Sequence, residues 1–399
     1  MHLAYTDEQE ELRRTLRSYY AELLTPEVRA LLDDPATHEP TKRKVVRQMA
    51  ADGWLGIGWP SEWGGQDRGH IDQWIFYDES MRQGAPLPIL TMNTVGPMIM
   101  QHGTQEQKEY FLPRILKGEI DFCIGYSEPD AGTDLASLST RGVVEGDELI
   151  INGTKLWTSY GATADWCWLA IRTDPEVKKH RGLSIVAVPM NTPGITPRPL
   201  ELIGEHPICE VHYEDVRVPV ANVIGGLNNG WSLITGQLNH ERVTLCAPGM
   251  VDKFLADVRR WAQQTKLPDG PGAGGAVGRR VIDQEWVQLN LARVHANFEF
   301  LRLQNWKVAC DAESGILNVE DASTTKVFGT ETNLDNIRLL MEIVGQNAYV
   351  KRGSPESVLL SRLEASYRSL VILTFGGGVN EVQRDLITVF GLGMPMVKR

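Results

Sequence analysis

The sequence predicts an α+β chain in three consecutive parts. An N-terminal helical domain covers residues 1–120, a middle antiparallel β-barrel or sandwich 121–225, and a C-terminal helical bundle 226–399. Three observations carry this. Apolar residues recur at three- and four-residue spacing before 121 and after 226. Between those points, short β-branched and aromatic runs alternate and stop at prolines and glycine turns. The length, 399 residues, exceeds what a single core usually serves.

In order along the chain, Thr6 and Gln9 have capping-box spacing, and Leu12, Leu16, Tyr19 and Leu23 follow at helical spacing until Pro26 ends the run. Trp59-Pro60 and Gly64-Gly65 punctuate a loop, and residues 93–118 are again helical in spacing, closing at Gly118. In the middle part Glu145-Gly-Asp-Glu148 is a turn. Trp166, Trp168 and Ala170 alternate with Cys167 and Leu169, and Asn152-Gly153 is a hairpin signal. Ser184–Val188 and Val211–Val218 are strand-like and end at Pro189 and Pro219. Beyond 226 helical spacing returns, broken by the Gly- and Pro-rich run Leu267–Ala276, which is expected to be a surface loop.

Composition narrows the function. The formal net charge is −11, which disfavours nucleic acid and anionic membranes as partners. Five scattered cysteines without CxxC spacing disfavour a disulfide framework or a zinc site, so no metal is expected and buried thiols suit the cytoplasm. The N-terminal residues lack the apolar stretch of a signal peptide, and no apolar run is long enough to span a bilayer.

Two features point to chemistry. Trp231, Ile234, Leu238, Glu241 and Leu245 share one helical stripe, so a carboxylate stands on a face that seeks the core. Such a group is a partly exposed or Arg-paired edge residue, or a general base in an apolar pocket. Arg242 follows it, and Pro248 should kink or end the helix. The second feature is the run Tyr126-Ser-Glu-Pro-Asp-Ala-Gly-Thr-Asp134, either a plain Asx-rich turn or a loop offering N–H groups and hydroxyls to an anion. Nearby, Trp157-Thr158-Ser159 either flanks a planar cofactor or belongs to the barrel core.

These residues resemble an acyl-CoA dehydrogenase. Tyr126–Asp134 is similar to that family's flavin loop, Asn152–Ser159 to the strand pair after it, and Tyr213–Pro219 with Gly226 and Gly230-Trp231 to the exit from its middle domain. Trp59–Gly65 and Asn380–Arg384 resemble its N-terminal loop and a C-terminal helix start. The resemblance implies FAD as cofactor and an acyl-CoA thioester as substrate, oxidised to a trans-2-enoyl-CoA by loss of an α-proton and transfer of the β-hydrogen to flavin N5. It implies electron-transfer flavoprotein as acceptor. It places Tyr126, Ser127, Thr133, Trp157, Thr158 and Ser159 at the flavin, and names Gly345, Asn380 and Glu381 as further cofactor-binding residues. Asn239, Arg242 and Thr133 would meet the substrate.

The departures are as informative. Most of the family takes its base from a Tyr-Glu-Gly-Thr stretch, replaced here by Phe375-Gly-Gly-Gly-Val379. A minority carries the base on a C-terminal-domain helix beside an Arg, and Glu241-Arg242 aligns there. The Arg-x-x-Phe-Gly and Gln-x-x-Gly-Gly elements that serve the adenylate are incomplete around Arg279-Arg280 and Gly345-Gln346. A paralogous partner subunit in an α2β2 heterotetramer would supply them, as in actinobacterial sterol side-chain members of the family, and this points to a bulky steroid-CoA. The alternatives are a non-catalytic scaffold subunit completing a partner's site and an acyl-CoA oxidase.

Overall fold

The computed structural model describes residues 4–204, 207–244, 246–267, 278–316 and 318–395, the side chains of 238–244 and 360 excepted. Helix α1 (Asp7–Leu23) opens on the capping box between Thr6 and Gln9. Pro26, expected to end that helix, is instead the first residue of α2 (Pro26–Asp33), where a missing N–H costs nothing. α3 (His38–Ala51) and α4 (His70–Gln83) follow. The helical spacing over 93–118 is realised in separate elements. A π-helical turn, Thr91–Val95, leads into α5 (Gly96–His102), and a second capping box, Thr104 with Gln107, opens α6 (Gln105–Leu116).

Among the described residues eight strands form one sheet: β1 (Phe122–Gly125), β2 (Arg141–Glu145), β3 (Glu148–Ser159), β4 (Trp166–Arg172), β5 (Leu183–Pro189), β6 (Ile195–Pro199), β7 (Ile208–Pro219) and β8 (Val223–Ile224). The order is β6-β7-β3-β2-β4-β5-β8, with β1 paired to β4. Most pairings are antiparallel as expected, but β1–β4 and β2–β4 are parallel. Those pairs join segments that no tight turn connects, so local sequence carries no sign of them.

Asn152-Gly153 is not a hairpin turn. The chain reverses at Gly146-Asp147, between β2 and β3, and Asn152-Gly153 lies inside β3 where its register on β7 shifts. A Cβ on Gly153 would stand 2.7 Å from Thr140 Cα, so the glycine serves close approach in a bulge. Asn152 spans the bulge, donating to the Asp215 carboxylate at 3.0 Å and accepting from its N–H at 2.8 Å.

Alternation on β4 resolves into two cores. Trp168 and Ala170 pack with Phe76, Ile99 and Phe111 of the N-terminal helices, while Cys167, Leu169 and Ile171 pack with Leu149, Val186 and Tyr213 inside the sheet. Strand β4 is therefore dry on both faces.

The C-terminal helices are α7 (Gly230–Thr244), α8 (Gly249–Gln264), α9 (Glu285–Glu313), α10 (Val319–Val344), α11 (Arg362–Leu370) and α12 (Asn380–Leu386). Pro248 caps α8, so it separates two helices as expected. Val251, Val294, Ile337 and Leu363 form a core of their own, whereas Leu233 and Ile234 of α7 join the N-terminal one. Helix α7 thus sits between all three parts. The loop expected over 267–276 lies, Leu267 apart, outside the described residues. Among the described residues no helix is long and apolar enough to cross a membrane, and no cluster of metal-ligating side chains occurs.

Candidate active site

The loop after β1 is anchored by a buried ion pair that sequence spacing does not reveal. Lys155 is fully buried on β3, and its Nζ donates to Glu128 Oε1 at 2.8 Å and to the Tyr126 carbonyl at 3.0 Å. The other oxygen of Glu128 accepts from Ser139 N–H at 2.6 Å and Ser139 Oγ at 2.8 Å, and Thr140 N–H donates to Oε1 at 2.8 Å. Burial alone would raise the Glu128 pKa; the Lys155 charge and these donors outweigh it and hold the carboxyl at about 2. Burial lowers the Lys155 ammonium to about 8, with Glu128 opposing that fall. A further bond from Leu156 N–H to the Ser127 carbonyl, 2.8 Å, seats the loop on β3.

With the loop pinned, Tyr126 turns inward and Thr133 outward. Tyr126 is 8% exposed; its hydroxyl accepts from Trp168 Nε1 at 3.0 Å and donates to Gln237 Oε1 on α7. Ser127 is half-buried, Thr133 is exposed, and the space around Gly132 is open. On β3 the register slips again between Lys155 and Thr158, and Trp157 takes φ +64 at that slip, with 54% of its surface exposed. A left-handed, solvent-facing tryptophan costs on the order of 1 kcal/mol and leaves an apolar plane unburied. That plane, the open loop and the half-buried Ser127 and Ser159 fit a flat phosphate-bearing cofactor such as FAD. Thr158 faces the opposite way, fully buried, with no partner for its hydroxyl among the described residues.

Helix α7 starts hard against the sheet: a Cβ on Gly230 would lie 2.9 Å from the Leu183 carbonyl oxygen. Its buried residues include Leu233, Ile234 and Gln237. Glu241, four residues beyond Gln237, lies on the same face, and the side chains of Asn239, Glu241 and Arg242 fall outside the described residues. Past α7, Cys246 rests on α10, where a Cβ on Gly329 would meet its Sγ at 2.9 Å. The Cys246 thiol also lies 3.8 Å from the Lys326 carbonyl.

Lys326 is fully buried, and its Nζ holds the ends of the glycine-rich segment Phe375–Val379. It donates to the carbonyls of Thr374 at 3.2 Å and Gly378 at 2.6 Å, and to Asn380 Oδ1 at 2.7 Å. Gly377 and Gly378 take φ +67 and +96, a conformation that suits glycine. The helix bearing Glu241 and the glycine-rich segment therefore converge on one stretch of α10.

The remaining residues expected at the cofactor are placed unevenly. Asn380 is 3% exposed; besides Lys326, its amide engages Thr330 Oγ1 at 3.1 Å and Glu331 Oε1 at 3.0 Å. Its side chain is thus a strut, while Glu381 is exposed and Gly345 ends α10 at φ +72. Sequence reading missed Lys155, Lys326 and Gln237, whose partners lie tens of residues away.

The models for the N-terminal, middle and C-terminal domains of acyl-CoA dehydrogenases match residues 6–119, 123–216 and 228–390. The chain is 50% identical to acyl-CoA dehydrogenase FadE26 and 43% to FadE29, both of Mycobacterium tuberculosis, over the full length of each chain. It superposes on a chain of the ChsE4-ChsE5 complex from M. tuberculosis with TM-score 0.91 and 50% identity, and on one of the Tcur3481-Tcur3483 steroid ACAD with TM-score 0.91 and 45%, covering both chains completely. On these matches the chain belongs to the acyl-CoA dehydrogenase family, and is an FAD-dependent oxidoreductase acting on a CH–CH bond.

Proposed function

We propose that this protein removes the α-proton of a bulky acyl-CoA, a steroid side-chain thioester, with Glu241 as base, and yields the trans-2-enoyl-CoA. The observation that carries the base assignment is the convergence on α10. Phe375–Val379 offers no acid, and α7, bearing Glu241, leads directly to the residues that clamp that segment. An α-proton is weakly acidic, so its removal requires a base placed against it in a dry site. The Gln237 side chain one turn earlier is fully buried, which supports such surroundings for the base. Bound FAD supplies the two-electron acceptor for the hydrogen that leaves the β-carbon. Tyr126, Ser127, Thr133, Trp157 and Ser159 would hold it, with the Glu128–Lys155 pair fixing the loop and Asn239 and Arg242 facing the acyl-CoA.

The substrate class rests on the likeness to the chain of a steroid ACAD, supported by glycines in place of a bulkier acid. The same likeness, to chains from two-protein complexes, supports a paralogous partner in an α2β2 assembly; Arg280, paired with Asp283 at 3.2 Å, lacks the adjoining Phe-Gly of a complete adenylate site. An electron-transfer flavoprotein is the assigned redox partner. In the complex, Glu241→Gln should keep FAD and lose flavin bleaching by the steroid thioester. Near-normal turnover would sink the base assignment, and peroxide formed at the rate of substrate loss would favour an oxidase.

A further inference from the structure

Gln237 stands at the meeting of the flavin loop and the base-bearing helix, with half of its amide unengaged. It is fully buried, Nε2 has no hydrogen-bond partner among the described residues, and Oε1 accepts from the Tyr126 hydroxyl. The orientation is set by a relay. The Trp168 indole N–H can only donate, and it does so to the Tyr126 oxygen at 3.0 Å. The Tyr126 proton then needs an acceptor, which is the carbonyl end of Gln237, so the NH2 end faces away. A buried amide donor without an acceptor is costly enough that folded proteins seldom retain one unless a ligand or water completes it.

A second buried amide lies on the segment against which α7 packs. Asn93, 5% exposed in the π-helical turn, has neither its oxygen nor its nitrogen bonded among the described residues. A π-turn is an uncommon feature, often found at functional sites. A Cβ on Gly236 would lie 3.5 Å from Met98 Sδ of α5, so the two segments meet beside Gln237. Four residues of helix rise about 6 Å. A group held against position 241 would therefore lie within a side chain's reach of Gln237.

We propose that Gln237 is a specificity-determining donor for this reaction, its Nε2 hydrogens reserved for an oxygen of the bound acyl-CoA. This rests on the assignment of Glu241 as base. The acceptor is the thioester carbonyl or an oxygen carried further along the acyl group.

The test uses the FAD-loaded complex with its partner subunit. Gln237→Met keeps the shape and removes the donor; kcat and KM are measured on a steroid side-chain CoA thioester and on octanoyl-CoA, with FAD content and visible spectrum alongside. The expected result is a fall in kcat/KM of about 10- to 100-fold with FAD content and spectrum unchanged. An equal fall on both probes assigns the thioester carbonyl, and a fall on the steroid thioester alone assigns an oxygen of the steroid. Unchanged kcat/KM on both, with a lower melting temperature, overturns the proposal in favour of an internal water. Lost FAD or a shifted spectrum overturns it in favour of the cofactor. Should the Met variant fail to fold, Tyr126→Phe frees the amide to rotate and should shift kcat/KM in the same direction by less; no shift overturns the proposal. A wild-type complex that oxidises neither thioester overturns the enzymatic reading itself.

Discussion

Replacing Lys155 by Met should loosen the flavin loop far more than replacing Lys155 and Glu128 together. In the native protein the Glu128 carboxyl is held at about 2 against an ordinary value of 4.5. At 1.36 kcal/mol per unit, that difference is worth about 3 kcal/mol in favour of the carboxylate. The Lys155 ammonium loses a similar amount in the other direction, being lowered from 10.5 to about 8 by burial. Attraction within a buried pair is largely offset by the desolvation of its two charges, while either half left alone is an uncompensated buried charge. Lys155→Met should cost about 3–5 kcal/mol, seen as a fall of roughly 4–6 °C in the temperature at which FAD fluorescence is released. Lys155→Met with Glu128→Gln should recover most of that loss. The outcome that refutes this reasoning is a double variant as unstable as the single one, which would mean that packing of the lysine stem, not charge, holds the loop.

Other outcomes follow from the same structure. Trp157→Gly should relieve left-handed strain, leaving the protein as stable or up to about 1 kcal/mol more so, while FAD content after desalting falls. Acid should release the cofactor along with the loop. Because the Glu128 pKa is depressed on folding, its stabilisation is complete above 4.5 and is lost as pH falls toward about 2, so flavin release should track that window. Gly329→Ala places a Cβ 2.7 Å from Cys246 Cβ, which must push α7–α8 off α10; a loss of about 1–3 kcal/mol with a lowered kcat is expected, and an unchanged kcat would detach that contact from the site.

The helix, strand, helix order was legible because periodicity is a local property, and so was the helix that carries Glu241, since its spacing shows in fifteen residues. Asn152-Gly153 misled for the same reason. Locally it spells a turn, and only the Thr140 backbone pressed against Gly153 turns it into a bulge. The parallel β1–β4 pairing, the Glu128–Lys155 bond across 27 residues and the Tyr126–Gln237 bond across 111 leave no trace in nearby sequence. Gln237 was doubly hidden, because a polar residue next to an apolar stripe reads as solvated until the packing of α7 on its neighbours buries it.

Lys326 holds the two ends of Phe375–Val379 through main-chain carbonyls, those of Thr374 and Gly378, beside its bond to the Asn380 side chain. A clamp that reads backbone oxygen is indifferent to the side chains between its two jaws, so mutational drift can alter the wall at residues 375–377 without releasing the segment from α10. One lineage could in this way discard an acid here and another enlarge the neighbouring space, with neither change first requiring a new anchor. The lysine would then tie down a replaceable panel, and diversification of acyl preference would be expected to concentrate there while Lys326 itself stays put.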